Sequence, residues 1–197
     1  LMEMGTGKSK VAIDTMGALY EEGKIKAALI VAPKGVYDNW VKGEVPIHLP
    51  KRIPRHIMRW IPAKTQRFET DLKDFIVDHD PKLKVFVMNT EAFSSPRGTE
   101  AAVAFLYQNP DNIVIVDEST TIKNRKAART KNIIALQKRA KYRRVLTGSP
   151  ITKSPMDLFS QCNFLAEKAL GFNSYYAFQA RYANVQKRQM GHRSFQQ

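Results

Sequence analysis

Short apolar runs of strand length alternate along this chain with longer amphipathic segments of helix length, and that alternation restricts the fold more than any other feature. AALIVAP (27–33), KVFVMNT (84–90), NIVIVDE (112–118) and YRRVLTG (142–148) read as buried strands, with HIMRWI (56–61) as a weaker fifth. Each is rich in β-branched or bulky apolar residues and runs out into polar or glycine-containing sequence. The pattern between them predicts helices over 8–22, 36–45, 65–79, 99–108, 125–139 and 155–166. Strands that are apolar along their whole length are shielded on both faces. The pattern therefore predicts an α/β fold, a mainly parallel sheet with helices on both sides. In such sheets ligands bind at the carboxyl ends of the strands, and the chemically distinctive residues fall there.

The first of these is Gly5-Thr6-Gly7-Lys8-Ser9, directly before the helical pattern that begins at residue 8. Two glycines let the backbone curl so that its N–H groups point at phosphate oxygens, and a helix N-terminus adds partial positive charge. Lys8 would reach the β and γ phosphates of a nucleotide, and the Ser9 hydroxyl would ligate Mg²⁺. The strict eight-residue phosphate-loop pattern has glycine where this chain has Met2. A glycine-rich turn capping a helix is the alternative reading. The second is Asp117-Glu118 at the end of VIVDE. A rigid strand would hold Asp117 beside the loop as a Mg²⁺ ligand and Glu118 as the group that orients and deprotonates an attacking water. An acidic helix cap is the simpler alternative. The two motifs in this order, each at a strand end, favour ATP hydrolysis. The third is Leu146-Thr147-Gly148-Ser149-Pro150, whose hydroxyls can hydrogen-bond to the acidic motif or to the water at the γ-phosphate.

Charge adds a second line. The net charge is +14, and residues 121–197 hold 16 Lys/Arg against only Asp157 and Glu167. Ten basic residues and no acid lie between Lys123 and Arg144, and a smaller basic run, KRIPRHIMRW, covers 51–60. Such asymmetry points to a polyanion, most simply nucleic acid; a solvated surface is the alternative. No apolar run reaches the roughly 20 residues that span a bilayer, and the opening residues do not have the form of a signal peptide. One cysteine, Cys162, and four scattered histidines predict neither a disulfide nor a metal cluster. These features fit a cytoplasmic or nuclear protein, not a secreted one. Trp40 reads as packing its helix onto the sheet, and Cys162 as a small buried apolar residue.

Taken in order, these segments resemble the first RecA-like lobe of a superfamily 2 helicase of the Swi/Snf type. MEMGTGKSK is similar to that family's motif I, LIVAPKGVYDNWVKG to motif Ia, VFVMNTEAF to motif Ib, VDESTTIKN to motif II and LTGSPITKSPMDL to motif III. FQARYA (178–183) is similar to a segment late in the first lobe. LTGSP departs from the serine-alanine-threonine of DEAD-box RNA helicases. The resemblance implies a RecA-like P-loop NTPase domain over 1–170, its first strand truncated, with a basic, aromatic and partly irregular extension over 171–197. It implies ATP and Mg²⁺ as cofactors, with Gly5, Thr6, Gly7, Lys8 and Ser9 on the nucleotide and Ser9 and Asp117 on the metal. Thr120, Thr147, Gly148 and Ser149 would couple nucleotide state to the rest of the machine. Relatives usually carry histidine at position 120, so Thr120 puts the strength of that coupling in question. Lys34 and Thr90 are the expected DNA contacts, with Lys123 and its basic neighbours adding phosphate contacts to a double-stranded partner. A second RecA-like lobe would supply arginine fingers, which leaves this chain alone a weak ATPase. A restriction-type motor lobe and a nucleotide-gated DNA-binding module without catalysis are the competing readings.

Overall fold

The computed structural model describes residues 6–151 and 153–183, together with the backbone of 187–190 and 193–196. Its centre is a five-stranded sheet in the order β2-β3-β1-β4-β5, formed by β1 (Ala27–Ala32), β2 (Arg55–Arg59), β3 (Leu83–Asn89), β4 (Asn112–Asp117) and β5 (Tyr142–Leu146). Every pairing is parallel. Central β1 is buried at all six positions, as a strand covered on both faces must be. The sheet, its parallel sense and all five strands agree with the pattern read from the sequence.

Alternation along each strand assigns the two faces. Leu29, Val31, Phe86, Met88, Val114 and Val116 point into one core. That side is covered by α4 (Gln66–Val77), α5 (Pro96–Gln108), α6 (Ala128–Ala135) and Phe164 of α7 (Asp157–Leu165). Ala28, Ile30, Val85, Val87, Ile113 and Ile115 point into the other core, covered by α1 (Lys8–Glu21), Trp40, Val45 and Leu49. Phe75, Phe86 and Phe105 pack as an aromatic triad at the first face, with Phe75 and Phe105 stacked at 5.6 Å.

The helix expected over 36–45 is built in three pieces: α2 (Tyr37–Asn39), a π-helical turn (Trp40–Glu44) and α3 (Val45–His48). Pro46 has no N–H to return to the preceding turn, so a regular α ladder cannot run through it. The widened turn carries the chain past that break. Helix α5 starts at Pro96, three residues earlier than the apolar pattern suggests, because the Ser95 hydroxyl caps the Gly98 N–H and proline suits the first helical position. Gly98 is required there, since a Cβ would lie 2.3 Å from the Ala92 carbonyl oxygen.

The C-terminal region is more regular than expected. Helix α8 (Tyr175–Tyr182) is capped by Ser174, and an antiparallel hairpin joins β6 (Lys187–Met190) to β7 (Arg193–Gln196). Phe178 of α8 packs on Phe159 of α7, which fastens α8 to the sheet-bearing body.

Candidate nucleotide site at the carboxyl edge of the sheet

Helix α1 begins at Lys8, preceded by Gly7 at φ 82°, a left-handed conformation that glycine adopts freely. Its first turn carries no acidic residue, so the positive end of the helix is not neutralised from within. Gly7 and Thr6 are exposed and Lys8 and Ser9 half-buried at this end. Gly5, the first residue of the expected phosphate loop, lies outside the described residues, as do Leu1 and Met2.

Strand β4 delivers Asp117 to the same edge. Burial raises the Asp117 carboxyl above the usual carboxylate range, opposed by the hydrogen bond from Trp40, the Glu118 N–H and the charge of Lys8. The Trp40 indole Nε1 donates to Asp117 Oδ2 at 2.8 Å, and the Glu118 N–H donates to Oδ1 at 2.9 Å. Trp40 therefore does more than the packing role read from the sequence. At 2% exposure it fills the core and also fixes a carboxylate 77 residues away.

Glu118 stands at φ 48° and ψ 64°, an uncommon conformation for a residue with a side chain. Its Oε1 accepts hydrogen bonds from Thr120 Oγ1 at 2.7 Å and Thr147 Oγ1 at 3.1 Å. Thr147 in turn accepts from the Ser149 N–H at 3.2 Å. The 117–120 and 147–149 segments are thus joined through one carboxylate oxygen. Thr120 makes its contact within its own loop; Gly148 and Ser149 shape the turn, with Ser149 exposed.

Beside this edge an open cleft of about 460 Å³ runs between Lys8 and Val11 of α1, β5, and Leu158, Cys162 and Leu165 of α7. Its lining is mostly apolar, with Lys8 as a charged group on its rim beside the start of α1. Half-buried Cys162 lines this cleft, and burial pushes its thiol up, away from thiolate reactivity.

The residues expected on nucleic acid divide. Lys34 is exposed after β1 and lines a groove of about 710 Å³ with Trp60, Lys64, Asn89, Glu91 and Glu100. The Asn89 Nδ2 donates to Glu91, while the buried Asn89 Oδ1 has no hydrogen-bond partner. Thr90 is placed otherwise than expected. It is 2% exposed, and its hydroxyl donates to the Ala32 carbonyl at 3.1 Å, which ties β3 to β1 instead of facing solvent. Lys123 is half-buried beyond β4.

The basic runs do not form one patch. Lys141 lies at the amino end of the sheet, bonded to Asp111 and to the Lys24 carbonyl, on the side opposite Lys123. Arg125 stacks on Tyr175 at 4.0 Å, and Arg143 donates to the Gln137 carbonyl. In the 51–60 run, Arg52 pairs with Glu21 and Arg59 with Asp38, while Arg55 donates to the Leu49 and Pro50 carbonyls. These side chains are engaged within the domain.

Comparison with known proteins agrees with this fold. The family profile described as SNF2-related domain matches residues 2–194. The chain is 29% identical over 192 residues to the DNA annealing helicase and endonuclease ZRANB3 of Bos taurus, covering 98% of this chain and 16% of that protein. It is 30% identical over 178 residues to the probable ATP-dependent DNA helicase CHR23 of Arabidopsis thaliana, covering 90% of this chain and 15% of that protein. The chain thus spans about a sixth of these curated relatives. The SWI2/SNF2 ATPase core of Sulfolobus solfataricus, solved with double-stranded DNA, has the same fold at a TM-score of 0.65 and 22% identity, over 92% of this chain and 33% of that one. The profile spans nearly the whole chain, and the parallel sheet is that of a first RecA-like lobe: the chain belongs to the SNF2-related domain family.

Proposed function

We propose that this chain is the ATP-binding lobe of an ATP-dependent duplex-DNA translocase, in which Mg-ATP hydrolysis drives movement along DNA. The observation that carries the reading is the meeting of Lys8, Asp117, Glu118 and Thr147 at one edge of the sheet, from segments far apart in sequence. The donor set suits Mg²⁺ shared with phosphates. Among the described residues no cluster of three or more His, Cys, Asp or Glu forms a cage, and a single carboxylate with a nearby hydroxyl is the usual protein share of such a site.

In this reading Gly5, Thr6, Gly7 and the start of α1 cradle the phosphates, and Lys8 reaches the β and γ groups. Ser9 and Asp117 hold Mg²⁺, which when bound would neutralise charge developing on the phosphates. Glu118 orients and deprotonates the attacking water, and the hydroxyls of Thr120 and Thr147 aim its carboxylate. A second lobe completes the site with cationic groups. Double-stranded DNA lies across the carboxyl edge at Lys34, with Lys123 as a further phosphate contact. The region 171–197 acts as an extension of the lobe that occupies 1–170.

The test is hydrolysis of ATP by the full-length protein with and without double-stranded DNA, together with nucleotide binding by a Lys8→Ala variant. DNA-stimulated turnover that Lys8→Ala abolishes, with nucleotide binding weakened, is expected. Nucleotide binding and DNA binding without any turnover would instead favour a nucleotide-gated binding module.

A further inference from the structure

The amide of Gln161, on α7, is 3% exposed and fully engaged. Its Oε1 accepts a hydrogen bond from the Ser119 hydroxyl at 2.5 Å. Its Nε2 donates to the Pro150 carbonyl at 2.7 Å and to the Asp157 carbonyl at 2.9 Å. Ser119 is wholly buried and directly follows Glu118. Pro150 closes the segment that begins at Thr147, which donates to Glu118 Oε1. The contacts form a closed circuit: Glu118 to Ser119 through the chain, Ser119 to Gln161, Gln161 to Pro150, back along the chain to Thr147, and Thr147 to Glu118. The neighbouring Ser160 hydroxyl donates to the Lys123 carbonyl at 3.4 Å, a second tie from α7 to the acidic loop.

We propose that Gln161 is a positioning residue for ATP hydrolysis, a buried bridge that holds the Glu118 loop and the 147–150 loop in one register. The inference rests on the functional reading above. Glu118 has an uncommon backbone conformation, which persists only where its surroundings impose it. Ser119 is the adjacent point at which a side-chain contact can impose it, and Gln161 grips that point and the partner loop together. The buried Gln161 amide is engaged at both its oxygen and its nitrogen, and such a bridge transmits a displacement of one loop to the other. A shift of the 147–150 loop would therefore move the Glu118 carboxylate through two routes, the Thr147 hydroxyl and the Gln161 amide. Leu or Met at 161 would fill nearly the same space without joining the loops.

The experiment compares steady-state ATP hydrolysis in the full-length protein carrying Gln161→Met, Ser119→Ala or both. Methionine keeps the volume and removes all three side-chain hydrogen bonds. Misplacing a catalytic group by about 1 Å costs up to about 100-fold in rate, and a kcat loss of about 10- to 100-fold is expected in Gln161→Met with KM for ATP changed less than about 2-fold. The double variant should be no slower than the slower single one, because both break the same circuit. Ser119→Ala deletes a single hydroxyl, so it carries the test if Gln161→Met does not fold. Wild-type kcat in a folded Gln161→Met or Ser119→Ala protein overturns the proposal, as do single losses that multiply in the double variant. Absence of turnover in the unaltered protein overturns the functional reading, and this role with it.

Discussion

The indole of Trp40 donates a 2.8 Å hydrogen bond to the carboxylate of Asp117, so a residue buried in one core also sets the geometry of the carboxylate read as the Mg²⁺ ligand. The contact favours the ionised form of a group that burial otherwise pushes toward protonation. Trp40→Phe keeps most of the ring in place and deletes the donor. Loss of an outer contact to a metal ligand weakens metal affinity by about 10- to 100-fold, so the Mg²⁺ concentration for half-maximal ATPase should rise into that range. An unchanged Mg²⁺ titration would show that the contact is dispensable. Trp40→Ala removes the packing as well and should cost about 3–5 kcal/mol in stability, read by denaturant unfolding.

Arg97 is a clamp. Its guanidinium donates to Glu69 and to the carbonyls of Ile61, Pro62 and Ala63, and it lies 4.4 Å from the Trp60 ring centre. This fork holds the 61–63 turn against the start of α5. Lysine offers one compact charge and cannot reproduce the fork. Arg97→Lys should lower stability by about 1–3 kcal/mol, with a lower denaturation midpoint. Equal stability would mean that the turn holds itself.

Gly98 is packed against backbone, with the Ala92 carbonyl oxygen where a side chain would begin. Backbone cannot swing away as a side-chain end can, so Gly98→Ala should destabilise by about 1–3 kcal/mol, against the usual gain from alanine in a helix. A rise in melting temperature would contradict the packing described at the start of α5.

The division of the basic residues makes a sharper test than their number. Each lost phosphate contact reduces the slope of log affinity against log salt by about one. Lys34→Ala should show that reduction on duplex DNA. Lys141→Ala should not, because Lys141 lies at the far end of the sheet in contact with Asp111. Equal slopes for both variants would place the DNA elsewhere.

The contrast between these residues explains what was legible in the sequence. AALIVA and NIVIV announce strands because every position is buried, and period and composition carry that information. Asp117-Glu118 and Thr147–Pro150 are legible for a related reason: each follows a strand, and a parallel sheet brings strand ends to one edge. The Trp40–Asp117 and Ser119–Gln161 contacts are not legible, because they join residues 77 and 42 positions apart and depend on how helices seat on the sheet. The basic runs divide for a different reason. Composition counts charges but does not reveal that Arg52, Arg59 and Lys141 already have carboxylate partners. Thr90 sits at the edge expected for it but is turned inward by one hydrogen bond to Ala32.

The most direct measurement is single-turnover ATP hydrolysis by Glu118→Gln in the full-length protein with duplex DNA, alongside nucleotide affinity. Glutamine keeps the shape and the hydrogen bonds from Thr120 and Thr147 but cannot take a proton. Loss of general-base catalysis alone is about 10²- to 10⁴-fold. A fall in the hydrolysis rate of that size with ATP affinity preserved is the predicted result. Hydrolysis at the wild-type rate by Glu118→Gln would contradict the assignment of Glu118 as the base and, with it, the account of this edge as a hydrolytic site.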